Sequence, residues 1–181
     1  YNAEIVQDIA CFPKLYETPI PNLRYVKKKP LDLINPFAKE RIIWKKDFSE
    51  IIIKKGSPIS FWLDFGAIFC AVPGMTIVGN EDAKIVLHME EFPGKIERTG
   101  TTETYILGHG KNEIESLRRH SIHYIQIVLS NFEEDIILKE PQILVSVYPS
   151  EMPGEFHSSN KNLEKIYLLG CRTNQICRQT Y

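Results

Sequence analysis

The sequence contains few of the features that assign a function directly. Its four cysteines, Cys11, Cys70, Cys171 and Cys177, form no Cys-x-x-Cys pair, which excludes zinc-knuckle and thioredoxin-type motifs. Scattered thiols of this kind are typical of small buried residues, so no disulfide is predicted. No apolar run approaches the roughly 20 residues that a membrane-spanning helix needs, so no membrane partner is predicted.

An excess of charge of one sign is also absent. The chain has 22 basic and 23 acidic residues in 181, which gives a net charge of −1. This balance provides no long-range attraction for nucleic acid or anionic lipid, and no nucleic-acid partner is predicted. The only basic run is Lys27-Lys28-Lys29, which we interpret as a solvated loop before Pro30, because phosphate binding needs several convergent cations.

Strand-like segments, by contrast, are abundant. Segments rich in β-branched and aromatic residues alternate with turn residues at short intervals. They span residues 41–45, 49–53, 58–65, 75–78, 84–89, 102–107, 121–129, 135–138 and 142–148. We predict that Gly66 ends the third segment and that turns occupy residues 79–82, 131–134 and 139–141. About nine short strands favour an antiparallel β-sandwich or jelly roll, a mainly β fold.

Alternation of apolar and polar residues predicts the core of this sandwich. Its expected members are Leu63, Phe65, Ile85, Leu87, Ile125 and Ile127. Residues 1–38 hold five of the prolines and predict an extended lead-in with one short strand at most. The sandwich domain is expected over residues 39–153, and a linker with the first helix of a further domain over residues 154–181.

The last segment changes to helical spacing. Ser159 or Asn160 can cap a helix predicted over residues 160–181. One face of that helix carries Leu163, Ile166, Tyr167, Gly170, Asn174 and Cys177. No Gly or Pro ends the helix after Gly170, and with Tyr1 in place of an initiator Met this favours a piece of a longer protein. We expect the helix to dock on the sandwich at its start, through Phe156 and Leu163, and to fray or meet another molecule at its end.

No group of residues forms a recognisable catalytic or metal site. His120 and His123 lie three apart in a strand and point to opposite faces, so a shared metal is not predicted. Residues 108–111 lack the spacing of a phosphate loop and are interpreted as a turn. The neighbouring carboxylates of Glu90-Glu91 and Glu133-Glu134-Asp135 do not face each other across a cleft, as glycoside hydrolysis requires.

The two tryptophans, Trp44 and Trp62, could stack on a sugar ring, but both lie inside strand segments and a core role is favoured. We therefore predict no catalytic residue, no metal ligand and no cofactor in this chain, and its residues identify no substrate-binding position.

The closing segment resembles a pattern found in bacterial α-L-rhamnosidases of the family-78 type. The residues that carry the resemblance are Gly154-Glu155-Phe156, Ser159-Asn160, Leu163, Ile166-Tyr167 and Arg172-Thr173. Upstream residues 19–21, 63–66, 86–90, 104–113 and 124–127 are similar to further family segments in the same order. The match covers about 160 residues; His123 stands where the family usually has Arg, and Leu117-Arg118-Arg119 replaces a more aromatic stretch.

The resemblance implies the β-sandwich that precedes an (α/α)6 catalytic barrel, together with the start of the first barrel helix near Asn160. The family's catalytic acids lie in the barrel, so the resemblance carries no catalytic residue onto this chain. It implies a non-catalytic part of a glycoside hydrolase that acts on rhamnose-containing glycans, with a downstream helical domain and carbohydrate as partners. A secreted or periplasmic location follows from the resemblance alone.

Two other hypotheses remain open at this point. A self-standing carbohydrate-binding or lectin-like jelly roll is compatible with the sandwich and its aromatic residues. A purely structural adhesion or scaffold domain is compatible with the absence of a catalytic group.

Overall fold

The computed structural model describes residues 23–34, 36–92, 101–147 and 154–177. Ten strands and one α-helix form within them. The strands are β1 (Arg24–Lys28), β2 (Asp32–Ile34), β3 (Ile42–Trp44), β4 (Glu50–Ile53), β5 (Ile59–Gly79), β6 (Lys84–Glu90), β7 (Thr102–Ile106), β8 (Gly110–Glu115), β9 (His120–Ser130) and β10 (Ile136–Val147), and the helix is α1 (Lys161–Cys177). A short 3-10 helix, Lys39–Arg41, precedes β3. The predicted mainly β fold with a C-terminal helix is confirmed.

The strands form one antiparallel system in the order β3-β4-β10-β5-β9-β6-β7. Strand β1 pairs with β10, and both β2 and β8 pair with β5. The first half of β5 therefore lies between β2 and β9, while its second half lies between β8 and β10. The two halves enclose a shared apolar core, and the domain is a β-sandwich whose layers are linked by β5.

The length of β5 corrects the prediction that Gly66 ends a strand. The strand continues for 21 residues and contains an irregularity between Asp64 and Phe69, where its register with β9 shifts. Gly66 lies inside this bulge with a φ of +79°, and its N–H donates to Asp64 Oδ1 at 2.6 Å. Bulges bend strands and let them pass from one layer to the other, so glycine serves here to turn a strand.

A second bulge corrects the turn predicted at residues 139–141. Strand β10 runs through this position with a register shift between Lys139 and Gln142, and Glu140 adopts a φ of +49°. The separate strand β8 was not predicted at all. The lysine run is also not a loop, because Lys27 and Lys28 belong to the exposed strand β1.

The predicted core is confirmed. All six of its residues are at most 4% exposed: Leu63, Phe65, Ile85, Leu87, Ile125 and Ile127. They belong to a single apolar cluster that also takes residues from β4, β8 and β10. The predicted lead-in contributes β1 and β2 to this sheet from residue 24 onward. Its domain boundary at residue 38 stays a prediction, and residues 1–22 lie outside the described part.

Helix α1 begins after Asn160, whose Oδ1 accepts the N–H of Asn162 at 3.0 Å. The predicted helix and its cap are thus confirmed over Lys161–Cys177, and residues 178–181 lie outside the described part. No residue of α1 is buried. Within the described ranges, no helix combines the length and apolar character that crossing a membrane requires.

Candidate functional site

A polar cluster lies at one end of the apolar core. Strand β7 is the last strand beyond β6, and it places Glu103 opposite Leu87 and Tyr105 opposite Ile85. Leu87 and Ile85 are both fully buried, so the register turns Glu103 and Tyr105 towards the interior. An inward-pointing charge on an outer strand also opposes edge-to-edge pairing with another chain, which gives Glu103 a structural role of its own.

Two residues from the end of β8 and the start of β9 complete this cluster, which we call the Glu103 cluster (Glu103, Tyr105, Ser116 and His120). Glu103 Oε1 lies 2.6 Å from Ser116 Oγ and 3.0 Å from His120 Nε2. Its other oxygen, Oε2, accepts the Tyr105 hydroxyl at 2.5 Å. The side chain of His120 is 6% exposed and that of Glu103 is 19% exposed, so Glu103 is the more accessible of the two.

The ionised state of Glu103 determines which groups of the cluster donate hydrogen bonds. An ionised carboxylate only accepts, so His120 Nε2, the Ser116 hydroxyl and the Tyr105 hydroxyl each donate to Glu103. Ser116 Oγ then accepts the backbone N–H of Arg118 at 3.1 Å, which holds the turn between β8 and β9 against the cluster. Three donors occupy three of the roughly four acceptor positions of a carboxylate, and no donor among the described residues occupies the fourth, on Oε2.

These contacts shift two pKa values in opposite directions. Burial alone would raise the pKa of Glu103, but the hydrogen bonds from Ser116, Tyr105 and His120 outweigh burial and lower it below its ordinary value. Burial, and then the hydrogen bond to Glu103 and the charge of that carboxylate, raise the pKa of Tyr105. The cluster therefore presents an ionised carboxylate and a protonated phenol at neutral pH.

Three members of the cluster, Glu103, Tyr105 and His120, line a cavity of about 330 Å³, which we call the Glu103 cleft. Its lining residues are Thr102, Glu103, Thr104, Tyr105, Glu115, Leu117, Arg118 and His120. Leu117 and Arg118 stand on the turn between β8 and β9; Leu117 is fully accessible and Arg118 is exposed. The cleft thus combines acidic, basic, hydroxyl and apolar groups.

The arrangement does not form a hydrolytic triad, although Ser, His and Glu meet in it. In a triad, the histidine accepts the serine proton on one nitrogen and donates to the carboxylate from the other. Here His120 Nε2 faces Ser116 and Glu103 together, at 3.2 and 3.0 Å, and carries the proton it gives to Glu103. Ser116 has no base in this geometry, and the cluster supports binding rather than nucleophilic attack.

The histidines singled out from the sequence are kept apart. His120 belongs to the Glu103 cluster, whereas His123 Nε2 lies 3.3 Å from Asp64 Oδ1 and its ring stacks on Tyr124 at 3.9 Å. Across the described ranges, no group of three or more His, Cys, Asp and Glu side chains has the arrangement of a metal site.

The other sequence candidates take structural positions. Residues 108–111 form the predicted turn, in which Asn112 Nδ2 donates to the carbonyls of Gly108 and Gly110, although Gly110 and Lys111 already belong to β8. Trp62 is 5% exposed in the core region, and Trp44 packs partly buried against the core.

The paired carboxylates do not meet one another. Asp135 binds Lys54 at 2.8 Å, and Glu133 and Glu134 beside it are exposed on a turn. Glu90 ends β6 and lies near Thr101, at 3.4 Å, while Glu91 is exposed. That the chain holds no catalytic residue stays a prediction.

Sequence reasoning missed the Glu103 cluster. The available signal was the spacing of Glu103 and Tyr105, two apart in a strand and therefore on one face. The contribution of Ser116 and His120 depends on the register of β8 and β9, which no local pattern specifies.

The second surface of interest is α1. Its face towards the sandwich is anchored by Arg172, whose Nη2 donates to the Ile68 carbonyl at 3.0 Å and whose guanidinium lies 4.9 Å from the Phe69 ring centre. The docking predicted through Phe156 and Leu163 is wrong: Phe156 packs on Tyr167 of the helix itself, and Leu163 is 45% exposed. Anchoring comes from the second half of the helix because Phe69, next to the bulge in β5, lies beneath Arg172.

Among the other apolar side chains of α1, Ile176 is half-buried and lines a small hollow with Phe69 and Val145, whereas three others are exposed. Ile166, Leu168 and Leu169 are each more than half exposed. Of the predicted stripe, only Tyr167 is partly buried, and its hydroxyl donates to the Gly154 carbonyl at 3.3 Å.

Comparisons with solved structures identify similar folds. A family-78 rhamnosidase of Bacillus sp. GL1 has a TM-score of 0.60 and 20% sequence identity over 70% of this chain and 14% of its own. A rhamnosidase from Klebsiella oxytoca, solved with rhamnose bound, has a TM-score of 0.64 and 14% identity over 88% of this chain and 36% of its own. The chain therefore spans a minor part of either enzyme, and the similarity concerns the fold. No protein-family model and no curated protein matches the sequence.

Proposed function

We propose that this chain is the non-catalytic β-sandwich portion of a rhamnosidase-like glycoside hydrolase, in which it supports a helical catalytic barrel. The observation that carries the proposal is the state of α1. A 17-residue helix lies on the sandwich, held by Arg172, with most of its large apolar residues exposed. The first helix of a barrel would leave its apolar face exposed in this way when the other barrel helices are not present. The fold similarity to two rhamnosidases supports the same assignment.

The exposed side chains support a helical neighbour for an energetic reason. Apolar surface left in water costs about 25 cal/mol per Å² relative to burial, and an isolated helix of this length is marginal without packing. Leu163, Ile166 and Leu169 recur at the spacing of one helix face, which is how a helix presents a stripe to neighbouring helices. In the proposed protein, these residues pack against the barrel while Arg172 keeps the sandwich attached.

The test compares the full gene product with this chain alone. The gene product is expected to release nitrophenol from an aryl α-L-rhamnoside, and the chain of residues 1–181 is expected to show no rate above buffer. A gene product that continues after residue 181 with no helical repeat, or an equal rate from the chain alone, would contradict the proposal. Two variants form a matched pair. Ile166→Asp should lower the rate of nitrophenol release by the gene product and Lys165→Asp should not, because Ile166 belongs to the apolar face and Lys165 does not.

A self-standing carbohydrate-binding module is the second candidate, and one observation favours it. The Glu103 cleft lies on the sandwich itself and is lined without any residue of α1. If the chain is such a module, the chain alone binds a glycan, and Ile166→Asp leaves its affinity for that glycan unchanged.

A further inference from the structure

We propose that the Glu103 cleft is a binding site for one neutral sugar ring, held through neighbouring hydroxyl groups. This site goes beyond the supporting role proposed above, and it does not depend on a helical barrel. Only the choice of sugar as the ligand class rests on the carbohydrate part of the proposed function.

Glu103 is a carboxylate held in a fixed position at the wall of the cleft. Three donors fix the carboxylate, and its side chain is 19% exposed, so one acceptor position on Oε2 is held rigidly at the wall of a cavity. Because Ser116, Tyr105 and His120 hold the carboxylate already, a ligand that donates one hydrogen bond to it finds an ordered acceptor. A charge-assisted bond of this kind is roughly twice as strong as one between neutral groups.

The charged residues that line the cleft have both signs. Glu103 and Glu115 line the cleft together with Arg118, so an anion would meet two carboxylates and a cation would meet a guanidinium. A neutral polyol avoids both conflicts, since one hydroxyl can donate to Glu103 while its neighbour accepts from Arg118. Thr102 and Thr104 of the same strand also line the cleft and add no charge.

The apolar lining and the size of the cleft also suit a sugar ring. Tyr105 and Leu117 add an aromatic ring and an aliphatic side chain, to which the C–H face of a sugar ring can pack, and the Tyr105 ring is restrained through its hydroxyl. The volume of about 330 Å³ lies at the lower end of the roughly 300–1,000 Å³ typical of ligand pockets, which suits one ring rather than an oligosaccharide.

The test is a titration of the ¹⁵N-labelled chain, followed by amide chemical shifts. The neutral probes are L-rhamnose, D-galactose and D-glucose, and the charged probes are sodium acetate and methylammonium chloride. At least one sugar is expected to bind with a Kd on the order of 1 mM, as a ligand with few contacts does. The shifts should be confined to residues 102–105 and 115–120, and both charged probes should bind at least about fivefold more weakly.

Two variants locate the site. Glu103→Gln removes the charge at nearly constant shape and should raise the Kd about tenfold, since a hydrogen bond to a charged group is lost. Arg118→Gln should raise it about fivefold; Arg118 is exposed, so this variant reports on binding even where Glu103→Gln disturbs folding. The control Arg24→Gln, at an exposed position of β1, should leave the Kd unchanged.

Several results would overturn the proposal. They are the absence of saturable shifts with all three sugars, equal or tighter binding of acetate or methylammonium, shifts centred outside the cleft, and an Arg118→Gln variant that binds like Arg24→Gln. None of these results bears on the supporting role, which the aryl rhamnoside assay of the full gene product tests separately.

Discussion

The sandwich and α1 differ in how far their apolar side chains are buried. Leu87 in β6 has no exposed surface, whereas Leu169 in α1 is 66% exposed. The sandwich is complete because strands from both layers cover one another, and its core closes without help from the helix. The helix rests on the sandwich through Arg172, with Gln175 and Ile176 beside it near Phe69. Two segments of one chain can therefore both carry regularly spaced apolar residues, alternating in β6 and at helical spacing in α1, and differ in how far the described chain buries them.

The largest expected effect separates these two leucines. Leu87→Ala should lower the free energy of unfolding by about 2–5 kcal/mol, because it leaves a cavity in a closed core. Leu169→Ala should change it by less than about 0.5 kcal/mol, because this side chain is already in water. Urea unfolding followed by tryptophan fluorescence measures both. Similar losses for the two variants would show that α1 belongs to the same core as the sandwich.

A second prediction tests how β5 joins the two layers. Gly66 has a φ of +79° and a Cβ added there would meet Leu31 Cδ1, so Gly66→Ala should cost about 1–3 kcal/mol. Gly110 has a similar φ of +81° but open space around it, and Gly110→Ala should fall at the low end, near about 1 kcal/mol.

Leu31→Ala in the Gly66→Ala background provides the control for this pair. The second change removes the steric part and should recover some of the loss, which urea unfolding detects. If Gly66→Ala costs no more than Gly110→Ala, then the close approach of Leu31 does not matter and strain alone explains both variants.

The third prediction concerns pH and the Glu103 cluster. The folded state holds the pKa of Glu103 below its ordinary value of 4.5, so the ionised carboxylate stabilises the fold above about that pH. The contribution is lost as the pH falls through the lowered pKa. Wild-type stability should therefore drop more steeply below pH 4.5 than that of Glu103→Gln.

Glu133→Gln serves as its matched control, because Glu133 is exposed on a turn away from the cluster. This variant should keep the wild-type slope in thermal melts recorded across the acidic range. Parallel pH profiles for the wild type and Glu103→Gln would contradict the hydrogen-bonded, ionised state described for Glu103.

The smallest effect is expected at the anchor of the helix. Arg172→Ala removes the bond to the Ile68 carbonyl and the contact with the Phe69 ring. A change of about 1 kcal/mol corresponds to amide exchange in α1 that is about fivefold faster. Exchange in β5 and β9 should not change, and Lys165→Ala should leave α1 as it is in the wild type. Unchanged exchange in Arg172→Ala would mean that another contact holds the helix.

The sequence was sufficient where local chemistry decides the outcome. Alternation identified the buried positions in β5, β6 and β9. Ser159 or Asn160 was predicted as the helix cap because both have short polar side chains, and the structure has Asn160 in that role. The bulges in β5 and β10 were not recognised, since Gly66 and Pro141 have the same local character in a bulge as in a turn. Register between distant strands distinguishes the two cases.

The Glu103 cleft could not be predicted for the same reason. Its four clustered residues come from β7, the turn after β8, and β9. These elements meet only because β5 pairs with β8 and β9 while β6 pairs with β9 and β7. The sequence predicted an apolar stripe on α1 and docking through Phe156 and Leu163, whereas the helix contacts the sandwich through Arg172. Which side of a helix rests on a sheet depends on where the sheet offers a partner, and that partner is Phe69 beside the bulge.

Hydrogen exchange of the chain alone and of the full gene product tests the central contrast most directly. The account predicts strong protection in β5, β6 and β9 in both samples, because the core closes by itself. It predicts weak protection of residues 161–177 in the dilute chain and strong protection of the same residues in the gene product. Equally strong protection of α1 in the dilute, monomeric chain would contradict the account, because the helix would already have all its partners.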